Sequence, residues 1–387
     1  MKIALSTIGK FHTFDLAREL HARGVLAGIY SGYPQFKLRN EGIPPNLIHT
    51  FPWVHSSYMA FPWKHRLSTA VVQAWENINA ITFGRWLQNS VRDCDAYVGL
   101  SGSTLQAGRA AQARGAKYVC DRGSAHIRVQ DQLLREEHAL WGLPYAGIDP
   151  RAIAREEAEY SDADAITVPS TFALRSFLAQ GVCGQRVKLL PYGVNLTRFE
   201  PVGKPVRDEF NVLFVGAMSL QKGIPYLVQA FNRIQHPKKT LTFAGSPSVD
   251  LIQLLSARNV WPQEARVLGH VPQTELKQLM SASHVLVLPS IQEGFGMVLA
   301  QAMACACPVI ASENTGADDL FTNAREGFIV PIRQVEMLTE RLQRLADDPD
   351  ERTLMGERAL QAVKGIGGWN SYGDNAMAIY RGLLSHA

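Results

Sequence analysis

A chain of 387 residues exceeds one ordinary hydrophobic core and is expected to divide into two domains. With 46% hydrophobic and 19% charged residues it has the balance of a soluble globular protein, which excludes a disordered or fibrous chain. The net charge of +4 is modest and no recognised nucleic-acid motif accompanies it, so no nucleic-acid partner is expected.

The opening residues, MKIALSTIGK, lack the apolar core of a signal peptide and read as a strand. No apolar run nears the ~20 residues that span a bilayer. Five scattered cysteines, an odd number, argue for a reducing compartment rather than a disulfide framework. A cytoplasmic location is expected. Residues 1 to 92 carry ten lysines and arginines against four acids, and within them lies the run FPWVHSSYMAFPWKHRL, Phe51 to Leu67. A basic surface beside Trp and Phe suits an anionic partner or peripheral contact with the inner face of the membrane. Aromatics in a core, with charges on a solvated face, are the competing reading.

Along the first half, the strands read as KIALST, VLAGIYS, AYVGLS, AKYVCD, AITVPS and VKLLPYG, and along the second as NVLFVGAM, KTLTFAG, ARVLGHV, HVLVLPS, PVIAS and GFIVP. Amphipathic stretches such as FDLARELHARG and IPYLVQAFNRI separate them. Fully apolar strands alternating with helices predict an α/β protein with parallel, doubly wound sheets. The Pro- and Gly-rich break from Pro191 to Phe210 places one domain at residues 1–195 and a second from 196. Gly-rich loops follow Thr7 (IGKFH), Asp121 (RGSAH), Val215 (GAMSLQKG) and Pro289 (SIQEGFG), at strand carboxyl ends, where open α/β sheets bind ligands. They predict one interdomain cleft. Two Asp-x-Asp sequences, DCDAY and DADAI, precede strands and so belong to the opposite end; no metal site is expected.

GAMSLQKG precedes a helix near Ile224, so Lys222 stands beside backbone N–H groups that attract anions. In EGFGMVLAQAMA, Gly294 and Gly296 let the backbone approach a ligand, and the helix from Met297 aims its free N–H groups at the same cleft. That chemistry fits a diphosphate, while Glu293 suits hydroxyl donors. A sugar beside a diphosphate supplies both.

These residues, with SDADAITVPSTFALRSFL, LPYGVNLTRF, VLPSIQEGFGMVLAQAMACACPVIAS, EGFIVP and the closing WNSYGDNAMAIYRGLL, resemble a retaining glycosyltransferase of family 4 (glycosyl transferases group 1). The resemblance implies the GT-B fold: two Rossmann-like domains facing across a cleft. It bounds the donor domain at 196–367 and implies that a helix within 368–387 crosses back to the acceptor domain. It implies transfer of a sugar from a nucleotide diphosphate, a co-substrate rather than a cofactor, to a hydroxyl acceptor, lipid-linked or anionic, as in glycolipid or cell-surface polysaccharide synthesis.

Carried over by position, Lys222 meets the diphosphate and Glu293 the sugar hydroxyls. Phe295, Gly296, Met297 and Val298 offer backbone amides, Gly269 and His270 hold the base, Gly9 stands where the first loop passes the diphosphate, and Gly216 is a further donor-binding candidate. His126 lies near the reacting sugar. Lys222, Glu293 and His126 are therefore the catalytic candidates, and His12, Lys10 and Arg122 the candidates on the acceptor side. His12 either faces the cleft or merely begins a helix. The chain departs from the pattern at Gln301, where an acid usually holds the ribose, at Ala306 in place of a glycine, and at Ala217 in place of an arginine for which Arg122 or Lys10 is the candidate substitute. Gln301 keeps a donor and an acceptor, and a side chain one turn into a helix leans back toward its N-terminus. A lone core glutamine is the alternative. The two rival functions are a non-catalytic nucleotide-sugar-binding homologue and a GT-B enzyme of other chemistry, such as an epimerase or phosphorylase.

Overall fold

The computed structural model describes residues 1–63, 67–196 and 198–385. The first half forms a seven-stranded sheet from β1 (Ile3–Thr7), β2 (Leu26–Ser31), β3 (Ile48–Thr50), β4 (Ala96–Leu100), β5 (Lys117–Asp121), β6 (Ala165–Val168) and β7 (Val187–Leu189), in the order 3-2-1-4-5-6-7. The second half forms a six-stranded sheet from β8 (Phe210–Val215), β9 (Lys239–Ala244), β10 (Ala265–Gly269), β11 (Val285–Leu288), β12 (Val309–Ser312) and β13 (Gly327–Val330), in the order 10-9-8-11-12-13. Every strand pairing is parallel. The central strands β1, β6, β11 and β12 are buried along their whole length, as sheets covered by helices on both faces require. All six strands expected in the second half are present. β3 was not foreseen: its three residues, IHT, carry no apolar run, and it exists because β2 offers an edge.

Strand order reverses between β1 and β4 and again between β8 and β11, so the loops after these strands flank the crevice where such sheets bind ligands. The halves are in direct contact. Ser170 Oγ donates to the Gly294 carbonyl at 2.7 Å, Thr171 donates to Asp319 at 2.7 and 2.6 Å, and Arg333 reaches Glu137 at 2.9 Å. The helix Trp369–Ser385 packs on the first-domain helix Thr13–Ala22, where Arg23 bonds Asp374 at 2.6 Å and the Asn370 carbonyl at 2.8 Å. The chain therefore crosses between domains twice. The crossings touch: a Cβ built on Gly193 would lie 2.6 Å from the Gly368 carbonyl.

The run from Phe51 lies at the surface rather than in a core. No residue of its helix Trp53–Ala60 is buried; Trp53 is 73% exposed and Trp63 59%. Lys64, His65 and Arg66 lie outside the described residues. Among the described residues, no helix is long and apolar enough to cross a membrane.

Ala306, just past the helix Met297–Ala304, has φ +56. A side chain in that left-handed region costs about 1–2 kcal/mol, against roughly 0.5–1 kcal/mol of chain entropy for glycine. Ala306→Gly is thus expected to stabilise the protein by roughly 0.5–1 kcal/mol, read as a higher urea midpoint. A lower midpoint would show that the methyl group's packing outweighs the strain.

Candidate active site

The loop after β8 ends at Gly223, whose φ of +68 and 2.0 Å clearance between a built Cβ and the Pro289 carbonyl admit only glycine. This turn lays Lys222 against the loop after β11. There its Nζ pairs directly with the Glu293 carboxylate, each side chain about one-fifth exposed. The Glu293 N–H donates to the Asn314 carbonyl at 3.0 Å, and Asn314 Nδ2 donates to the Ile291 carbonyl at 2.9 Å, fixing the loop from behind. Among the described residues, the amides of Phe295, Gly296, Met297 and Val298 donate to no protein group. Gly296, at φ +75, starts the helix Met297–Ala304. A cation and four unused N–H groups at a helix start make an anion-binding corner.

This corner meets the first domain. A Cβ on Gly294 would stand 2.0 Å from the Gly123 carbonyl, and Gln292 donates to Ser124 Oγ at 2.5 Å. A cavity of about 1600 Å³ opens beside the contact, lined by Lys10, His12, Arg122, Met297 and Gln301 among others. Lys222 and Glu293 do not line it. They join it through the turn 293–297, whose last residue does. Gln301 is half-buried on that cavity, and its side chain makes no hydrogen bond among the described residues, so it is not a core glutamine held by backbone. Gly216 (φ +145) ends β8, where its carbonyl lies against Gly245. Gly269 and the exposed His270 end the edge strand β10, and Gly9 is buried beside Phe11 after β1.

The two Asp-x-Asp sequences lie at strand amino ends: Asp95 accepts from the Lys2 N–H at 2.6 Å and Asp164 from the Tyr118 N–H at 2.8 Å. Among the described residues, no group of three or more His, Cys, Asp or Glu is placed to hold a metal ion.

Arg122 and Lys10 line the cavity but are not free cations. Arg122 bonds Glu156 at 2.9 Å, Gln130 at 2.7 Å and the Ala125 carbonyl at 3.1 Å, and Lys10 pairs with Glu41. His12 both begins the helix Thr13–Ala22 and faces the cavity, so the two readings of it were not exclusive. Its Nε2 lies 2.6 Å from Asp121 Oδ2, a partner the sequence reading passed over. Asp121 ends β5 immediately before the RGSAH loop, and that position was the available signal.

His126 requires a correction. It is only 3% exposed, packed between Tyr160 and Phe177 at 5.0 Å from each ring, and its Nδ1 caps the helix Ile127–Leu140 by accepting from the Arg128 N–H at 3.3 Å. Such a group is structural and does not face a reacting sugar. Burial pushes its pKa down to about 4, so the folded state keeps it neutral. The unfolded chain binds that proton near 6.5, and stability is therefore lost as pH falls from about 6.5 toward 4. His126→Asn retains a capping acceptor and is expected to leave turnover intact while shrinking the fall in melting temperature between pH 7 and pH 5. His284, also pushed down to about 4 by burial, keeps part of that fall. Loss of turnover at unchanged stability would return His126 to the chemistry.

The family model for glycosyl transferases group 1 matches residues 198–362. The chain is 28% identical over 292 residues, 70% of its length and 69% of the relative's, to D-inositol 3-phosphate glycosyltransferase 1 of Catenulispora acidiphila. It is 23% identical to the phosphatidylinositol N-acetylglucosaminyltransferase gpi3 subunit of Schizosaccharomyces pombe, over 69% of this chain and 59% of that one. Among solved structures, HepE of Anabaena in complex with UDP and glucose superposes at a TM-score of 0.70 and 15% identity, covering 99% of this chain and 100% of that one. Residues 198–362 match the glycosyl transferases of group 1, and two doubly wound sheets with a double crossing give the chain the GT-B architecture of the solved neighbours.

Proposed function

We propose that the protein transfers a sugar from a nucleoside diphosphate to a hydroxyl acceptor with retention of anomeric configuration and without a divalent metal. The contact between Lys222 and Glu293, beside the unused amides of residues 295–298, carries this reading. Negative charge grows on the departing diphosphate, and a preorganised cation with aligned N–H groups meets it where it forms. In the structure the Glu293 carboxylate pairs with that cation. The donor then exchanges the pair: diphosphate takes Lys222, and the released carboxylate turns to the sugar hydroxyls.

A thermal-shift screen of UDP, ADP and GDP sugars tests the donor, since ligand raises the melting temperature by mass action. Lys222→Ala is expected to weaken nucleotide binding and to cut turnover roughly 10²-fold, the scale of one lost preorganised contact, with EDTA leaving wild-type turnover unchanged. Glu293→Gln is expected to bind bare UDP more tightly than wild type, its lysine being released, yet to transfer poorly. Weaker UDP binding in that variant would place Glu293 at the nucleotide.

Gln301 is assigned to the ribose. Its unpaired amide on the cavity, within the first turns of the helix whose start receives the diphosphate, supports this. Gln301→Glu should change UDP affinity by about 1 kcal/mol, the net worth of a hydrogen bond, and should change 2′-deoxy-UDP affinity less. Equal effects on both would remove it from the ribose.

The acceptor is assigned as an anionic or lipid-linked alcohol, as in glycolipid or cell-surface polysaccharide synthesis. The names of two relatives, one acting on an inositol phosphate and one on a phosphatidylinositol, support the class. Exposed Trp53, Met59 and Trp63 in the basic first part support peripheral contact with a membrane. Co-sedimentation with vesicles is expected to require anionic lipid and to weaken as salt rises. Binding indifferent to lipid charge would overturn it.

A further inference from the structure

Lys222 and Glu293 meet because the residues before them are bonded together, and those bonds run on into the first domain. We infer that Gln292 is a positioning residue, which sets the Lys222–Glu293 pair in its working geometry while the first domain is docked on it; this rests on the glycosyl-transfer reading above.

Gln221 precedes Lys222, and Gln292 precedes Glu293. The Ile291 N–H donates to the Gln221 carbonyl at 2.8 Å. Gln221 Nε2 donates to the Gln292 carbonyl at 3.2 Å and to its side-chain Oε1 at 3.0 Å, and Gln292 Nε2 donates to Ser124 Oγ at 2.5 Å. Each amide has one direction. Gln221 turned over would set its oxygen against the Gln292 carbonyl, and Gln292 turned over would set nitrogen against nitrogen. Gln292 has no exposed surface. A buried amide satisfied at both ends holds its neighbours in place. A carboxylate there would stand unscreened beside Glu293, and an apolar side chain would bond neither partner.

Ser124 belongs to the first domain, on the loop after β5. A second first-domain hydroxyl holds the same loop: Ser170 Oγ, itself buried, donates to the Gly294 carbonyl at 2.7 Å and accepts from the Ala173 N–H at 3.2 Å. Residues 292 and 294, on either side of Glu293, are thus each bonded to the first domain. Gln221 passes the same constraint to Lys222. With no exposed surface, Gln292 cannot touch a ligand and acts through the pair that follows it. When the domains part, Gln292 loses Ser124 and Gly294 loses Ser170, and the two loops keep only the bonds of their own domain. A misplacement of about 1 Å at reacting groups costs up to about 10²-fold in rate, so this relay from Ser124 ties turnover to the docked state.

The test removes one hydroxyl of the first domain and reads two loops of the second. In the full chain carrying Ser124→Ala, backbone hydrogen exchange followed by mass spectrometry is expected to quicken about 2–10-fold in peptides covering 219–223 and 289–295, the worth of one hydrogen bond. Hydrolysis of UDP-, ADP- and GDP-glucose by that variant is expected to fall about 10–10²-fold in kcat. UDP affinity is expected to stay within about twofold of wild type, because a bound diphosphate itself draws the lysine. Gln292→Leu is expected to lose as much turnover, and the double variant no more than Gln292→Leu alone, since both cut one chain of bonds. Ser124→Ala carries the decision if Gln292→Leu does not fold. Unchanged exchange in both loops overturns the relay. So does faster exchange at wild-type kcat, a double variant whose losses multiply, or UDP affinity that falls as far as kcat. A wild-type protein that turns over none of the donors overturns the glycosyl-transfer reading beneath it, and the exchange measurement then judges the relay by itself.

Discussion

The donor corner proposed for this protein rests on a positive and a negative side chain held together beside the cleft. Lys222 and Glu293 are brought together from loops on neighbouring strands, β8 and β11, at the reversal of strand order. The attraction between them offsets the desolvation of each, whereas either alone beside the domain contact would be costly. The rest of the corner exists to keep that pair placed: Gly223 makes the tight turn behind the lysine, and Asn314 anchors the loop carrying the glutamate. The amides of residues 295–298 are left unused. Such groups do not solvate one another, so the corner keeps its appetite for charge.

The second constraint is the contact between domains. Nearly all of its bonds lie in loops and helix ends: Ser170 and Thr171 at a helix start, Asp319 in a short helix, Gln292 and Gly294 in the donor loop. Polar bonds of this kind exchange readily with water, unlike an apolar core, and suit two bodies that must admit a substrate between them. Arg333 adds an ion pair. It carries φ +64 and reaches Glu136 at 3.2 Å and the fully buried Glu137 at 2.9 Å, so one backbone outlier seats a cation against a buried acid of the other domain.

Much of the second domain was legible in the sequence because its strands are buried on both faces and read as uninterrupted apolar runs between amphipathic helices. Lys222 and Glu293 were legible for a different reason: glycines flank them, and glycine marks places where the backbone must turn or be approached. That the two touch was not legible, since each was assigned its own part of the ligand. β3 and the helix Trp53–Ala60 escaped because neither has a clean period. His126 was misplaced by its loop. The loop does reach the cleft at Gly123 and Ser124, but the chain has turned inward three residues later to start a helix, and the imidazole follows it into the core. Asp121 failed for the opposite reason, since a polar residue ending an apolar strand looks like a mere boundary until a partner from another loop is seen upon it.

The touching of the two crossings at Gly193 and Gly368 has a mechanical outcome. A door hung on two separated hinges swings about one line, but a door whose hinges coincide can also tilt and twist about a point. Here that point lies one residue from Tyr192 and one from Trp369, whose rings stand 6.2 Å apart, with Tyr192 itself stacked on His12. Residues near a pivot travel least when the bodies turn. Tyr192 and the imidazole stacked on it therefore keep their places when the two domains turn about that point.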